Sequence, residues 1–152
     1  MKLKLILIAL VIAVSSCGNN DKKEVKKESP KKEVSEKVEN IDPMLDKGVG
    51  PITSVTLGEI DESLAAKGKE VFKAKCTACH KINKRYIGPA LKGVTKKQSP
   101  EWIMNMILNP EVMIAKNKTA KELLREFSAP MANQHLTKDE ARAVLEYFRT
   151  KN

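Results

Sequence analysis

Cys76-Thr77-Ala78-Cys79-His80 gathers two of the chain's three cysteines and one of its two histidines into five residues. Two thiols two residues apart, with an imidazole directly after the second, suit three chemistries. They can add to the two vinyl groups of one porphyrin, leaving the histidine beneath the iron; C-x-x-C-H is the attachment signature of c-type haem. They can cycle as a thioredoxin-like dithiol, which needs a βαβ context. They can hold zinc together with His135, although adjacent Cys and His ligands crowd a tetrahedron and His135 stands alone rather than in a pair. No Val/Ile-rich parallel-strand pattern surrounds the motif. The residues therefore favour one haem c, joined covalently through Cys76 and Cys79, with His80 as the proximal axial ligand.

A second axial ligand has five candidates beyond the motif: Met104, Met106, Met113, Met131 and His135. Met104, Met106 and Met113 fall in helical stretches, where methionine is usually core filler. His135 stands at the approach to the last helix and reads as a surface residue. Met131 follows Pro130 in Phe127-Ser-Ala-Pro-Met-Ala-Asn-Gln. The proline removes a backbone donor and stiffens that loop. A thioether there can reach a metal without unwinding a helix, so Met131 is the expected partner of His80.

The elements that must position these residues read as helices. Leu64, Val71 and Phe72 make an apolar stripe over residues 62–75. Gly68 lies inside that stretch, where glycine costs about 1 kcal/mol relative to alanine; a close helix crossing would account for it. Ser99-Pro100-Glu101 supplies an N-cap, a proline at the first helical position and an acid in the first turn, opening a helix over about 100–108. Asn109-Pro110-Glu111 repeats the signal for a shorter one. Thr119-Ala-Lys-Glu122 and Thr137-Lys-Asp-Glu140 both have the capping-box pattern. Behind the second, Ala141, Val144, Leu145 and Phe148 keep helical spacing, which predicts a helix over about 138–150. No segment alternates strongly enough for a sheet, so the expected class is all-α.

Charge and composition divide the chain. All six aromatic residues lie beyond residue 70, which places the packed domain in the C-terminal part. The net charge of +9 is also that of residues 62–152 alone, so the positive field belongs to the domain and not to a basic tail. Such a field suits acidic protein partners or an anionic surface; nucleic acid is not the expected partner.

Residues 1–16 carry Lys2 and Lys4 before the uncharged run Leu5 to Val14. Ten residues are too few to span a bilayer, which takes about 20, and the pattern is that of a secretory signal. Its end, Val14-Ser15-Ser16-Cys17, resembles the lipobox of bacterial lipoproteins, which implies acylation of Cys17 and a membrane anchor. Residues 17–47 form a Lys/Glu-rich tether: 16 of the 29 residues in 19–47 are charged, too polar to fold alone. From Cys17 to the domain such a coil reaches on the order of 35–40 Å. Residues 48–61, with Ile52, Val55, Leu57 and Ile60 near alternate spacing, are expected to lie extended against a domain that starts at residue 62.

Residues 62–152 resemble the class I cytochromes c. The resemblance rests on C-x-x-C-H at 76–80, Gly88-Pro89-Ala90-Leu91-Lys92-Gly93, Asn109-Pro110, Pro130-Met131 before a final helix, Gly68 and Phe72 on the first helix and Tyr147 on the last. It implies a single haem in an all-α fold whose first and last helices cross at Gly68. It further implies that the Pro89 carbonyl accepts the His80 ring N–H, that Leu91 packs on the haem and that Trp102 lies in the pocket near the propionate side. One departure stands out: Met131 follows Pro110 by 21 positions, enough for an extra helix.

The implied function is single-electron transfer in the cell envelope, with no catalytic residues. The implied partners are acidic redox proteins, met through Lys75, Lys81, Lys84, Lys92, Lys96 and Lys97. The overall pattern is similar to small cytochromes encoded beside anaerobic respiratory reductases. Two other classes stay open: a haem protein with a free sixth position, and a fixed haem subunit of a larger complex.

Overall fold

The computed structural model describes residues 42–152. The signal, Cys17 and the tether up to residue 41 lie outside the described residues. Five α-helices follow one another: α1 (Glu62–Lys75), α2 (Pro100–Leu108), α3 (Pro110–Lys116), α4 (Lys118–Phe127) and α5 (Lys138–Arg149), with a 3₁₀ turn at Val94–Lys96 between α1 and α2. No strand occurs among the described residues, and the domain is all-α as expected.

Four of the five helices start where a side chain satisfies one of their first free N–H groups, while α3 opens on Pro110 with no side-chain cap from Asn109. Asp61 accepts the Leu64 N–H to open α1, and Ser99 accepts that of Trp102 to open α2. At α5 the capping box is complete, with Thr137 and Glu140 bonding each other's backbone N–H. The Glu140 carboxyl is held below its usual range, first by that backbone bond. At α4 the sequence reading needs correction. The cap is Asn117, whose Oδ1 accepts the Ala120 N–H at 3.0 Å. Thr119 already lies inside the first turn, so its capping-box spacing goes unused.

α1 packs along α5. A Cβ on Gly68 would meet the Ala143 carbonyl oxygen and the Val144 nitrogen, which is why a helix-weakening glycine sits there. One turn later Phe72 packs on Tyr147, ring centroids 5.5 Å apart, and edge-on to Phe148 at 5.7 Å. Such aromatic pairs add about 0.5–1.5 kcal/mol each beyond the area they bury. Trp102, Ile103 and Ile107 of α2 and Met113 of α3 complete the core with Val144 and Leu145.

A strap precedes α1. Val49, Ile52 and Val55 pack against the core, but Leu57 and Ile60 are exposed, so the alternate spacing does not place all four apolar side chains inward. Polar groups of the helices hold the backbone instead. Buried Asn105 accepts the Ile52 N–H at 3.0 Å and donates to the carbonyls of Lys47 and Ile52 at 2.9 and 2.8 Å. Arg142 donates to the Thr56 carbonyl and Arg149 to that of Gly58. Both arginines pair with Glu146, whose side chain is fully buried and which accepts the Asp61 N–H. Removing either would leave that buried carboxylate undercompensated. Hydrogen bonds to the helices begin at Asp46 and Lys47.

Candidate functional site

The C-terminus of α1 presents the motif. The Cys76 N–H bonds the Phe72 carbonyl at 2.9 Å, and those of Cys79 and His80 bond the Cys76 carbonyl at 3.1 and 2.9 Å. This extra turn holds Cys76, Cys79 and His80 at positions one helical turn apart, where side chains share a face. All three line one cavity of about 380 Å³.

The loop after the motif orients the imidazole. Gly88 N–H bonds the Cys79 carbonyl at 2.9 Å, bringing Gly88 against the ring: a Cβ there would lie 2.8 Å from His80 Nδ1. His80 Nδ1 lies 3.3 Å from the Pro89 carbonyl oxygen. A carbonyl only accepts, so Nδ1 carries the proton and Nε2 keeps its lone pair. Burial lowers the His80 pKa, partly offset by the Pro89 bond, and favours the neutral ring that a metal needs. Burial, and secondarily Cys79, pushes the Cys76 thiol up to about 11. Among the described residues no group of three or more His, Cys, Asp or Glu side chains is placed to hold a metal ion, and His135 is exposed and does not line the cavity.

The remaining walls are mostly apolar. Leu91, Val94, Ile103, Ile107, Leu123, Phe127 and Phe148 contribute to them, and Ile87, 47% exposed, stands at the rim. Met131 lines the cavity directly after Pro130, and so does Met106; Met104 and Met113 do not. Met113 is fully buried, with its sulfur 3.0 Å from the Val49 nitrogen that donates to it. Trp102 also lines the cavity, but its Nε1–H is donated to Asn117 Oδ1 at 3.1 Å. It offers the cavity apolar ring surface rather than a donor.

Two thiols, a neutral imidazole and a thioether on the walls of one apolar cavity suit a covalent haem. The wall also holds Gln98 Oε1, a buried atom with no hydrogen-bond partner in the protein, as a wall completed by a bound group would. Neither Gln98 nor the rim position of Ile87 was legible in the sequence, because neither has a distinctive pattern around it.

The family model of cytochrome c matches residues 65–151. Among solved structures the chain is similar to a cytochrome c from Rhodothermus marinus, at 46% identity and a TM-score of 0.65 over 66% of this chain and 88% of that one. It is also similar to an engineered form of that protein, at 45% identity and a TM-score of 0.65 over 66% of this chain and 89% of that one. A further engineered form, bound to a carbene intermediate, matches at 46% identity and a TM-score of 0.62 over 66% of this chain and 88% of that one. No curated protein sequence matches.

Proposed function

The chain belongs to the cytochrome c family, and on that premise we propose that it is a lipid-anchored electron carrier whose haem iron is held by His80 and Met131. Haem c, one per chain, supplies the one-electron chemistry. The protein's own residues attach it, orient the axial groups and exclude water. Cys76 and Cys79 provide the two thioethers. Pro89 fixes the His80 tautomer, and Leu91 and Trp102 press apolar surface on the haem.

The observation that carries this reading is that the two motif thiols, His80 and Met131 line the same cavity. With His80 and Met131 both holding the iron, no position would be left for a substrate, which favours a carrier over an enzyme. A thioether ligand also sets a higher potential than a second nitrogen would.

The basic surface supports an acidic redox partner, such as an anaerobic respiratory reductase. Lys75 and Lys97 are exposed and line the cavity, and Lys84, Lys92 and Lys96 are exposed as well. Lys81 is less free, because its ammonium donates to the Thr77 carbonyl at 2.7 Å and lies 5.1 Å from the Tyr86 ring centroid. Steering by such charges weakens as salt screens them over about 8–10 Å. Second-order electron-transfer rates with an acidic partner are therefore expected to fall steadily with ionic strength in stopped-flow measurements. A salt-independent rate would assign the charge to some other purpose.

No helix among the described residues is long and apolar enough to cross a membrane. The anchor is proposed from Val14-Ser15-Ser16-Cys17. Mass spectrometry of the mature protein should find an acylated N-terminal Cys17, and Cys17→Ala should release the protein from the membrane fraction of the cell envelope. An unmodified N-terminus at any other residue would refute the anchor.

A further inference from the structure

The segment between α2 and Met131 supplies Asn117, and this residue makes more contacts than a helix cap requires. Its Oδ1 accepts both the Ala120 N–H and the Trp102 Nε1–H, at 3.0 and 3.1 Å. Its Nδ2 donates to Asp46 Oδ2 at 2.7 Å. The other Asp46 oxygen accepts the Gly48 N–H at 2.8 Å, and the Asp46 carbonyl accepts the Ser99 hydroxyl. A carboxylate at the start of the strap is thus joined through one buried amide to an indole that is 4% exposed and lines the cavity.

Resting on the reading that this cavity holds the haem, we infer that Asp46 is a positioning residue for the haem-facing indole, acting through Asn117. An amide can rotate to exchange its oxygen and nitrogen, and only one orientation accepts from Trp102. Asp46 accepts but cannot donate, so together with the Ala120 N–H it selects the orientation that presents Nδ2 to the strap and Oδ1 to the indole. The charge-assisted bond strengthens that choice. With the indole fixed, the wall beside the haem stays dry, and the dryness of that shell is one of the controls on reduction potential. The strap, and through it the root of the tether, thereby bears on the redox centre.

The test uses the holoprotein. The chain has a single tryptophan, so one indole N–H signal in the ¹H–¹⁵N spectrum reports on Trp102. Asp46→Ala is expected to raise the solvent-exchange rate of that signal several-fold and to lower the midpoint potential, because admitted water favours the more highly charged oxidised iron. Deleting a carboxylate would by itself raise the potential, so the direction separates the two effects. The exchanged pair Asp46→Asn with Asn117→Asp reverses the polarity of one bond and keeps the Gly48, Trp102 and Ala120 bonds. It should restore the slow-exchanging signal. Lys47→Met removes the neighbouring strap contacts to the Thr53 carbonyl and to Glu101 and should leave the exchange rate unchanged.

An unaltered exchange rate in Asp46→Ala, a potential in Asp46→Ala that rises or stays level, an exchanged pair that fails to restore the signal, or an equal rise in exchange in Lys47→Met would each overturn the inference. The premise is read separately: in the wild type, the indole signal should differ between the paramagnetic oxidised state and the reduced state. Identical signals would remove Trp102 from the haem's neighbourhood and take both the premise and the inference with it.

Discussion

Replacing Cys76 and Cys79 together by alanine is expected to give a chain that loses all of its colour in an acid–acetone wash, whereas the wild-type chain keeps it. Acid protonates His80 and unfolds the domain, so axial ligation and cavity packing both fail under these conditions. Only the thioethers survive. Each single replacement, made in a host competent for attachment, should retain one linkage and hence the haem. The Cys76 thiol sits at the end of α1, partly buried, while Cys79 is exposed. A wild-type polypeptide that washes colourless would refute covalent attachment through this pair.

Met131→Ala is expected to abolish the sulfur-to-iron charge-transfer band of the oxidised protein, to lower the midpoint potential and to let carbon monoxide bind the reduced iron. Met113→Ala tests whether any methionine would do. Its side chain is fully buried and not on the cavity wall. Its loss should cost about 2–5 kcal/mol of stability as a core truncation while leaving the band in place. Met106 is the sharper comparison, because it lines the cavity as Met131 does. It projects from the middle of α2, and the band should survive its replacement by alanine. A band lost in Met106→Ala or Met113→Ala and kept in Met131→Ala would move the ligand to another element.

The parts legible in the sequence were those written in local patterns. Apolar stripes and proline or capping signals placed α1, α2, α3 and α5 because each is encoded within one or two turns. Five adjacent residues announced the haem chemistry. The cap of α4 was misread because Thr119 and Glu122 have capping-box spacing, and only the backbone shows that Asn117 opens the helix two residues earlier. The strap was half legible. Ile52 and Val55 pack inward, but Gly58 and Asp61 are held by Arg149 and Glu146 from the far end of the domain. Hydrogen bonds to a backbone leave no mark on the sequence of the segment they hold. For the same reason nothing in the sequence of α2 singles out Asn105, the side chain that grips the strap at both Lys47 and Ile52.

The contact of Gly68 with Ala143 and Val144 also has a consequence for the order of events during synthesis. A ribosome makes α1 long before α5, and until Lys138–Arg149 exists the inner face of α1 has nothing to close on. Contacts between such distant parts of a chain form late, since the intervening loop must first be brought together. The motif directly follows α1, so its two thiols emerge on a nascent chain whose cavity is not yet built.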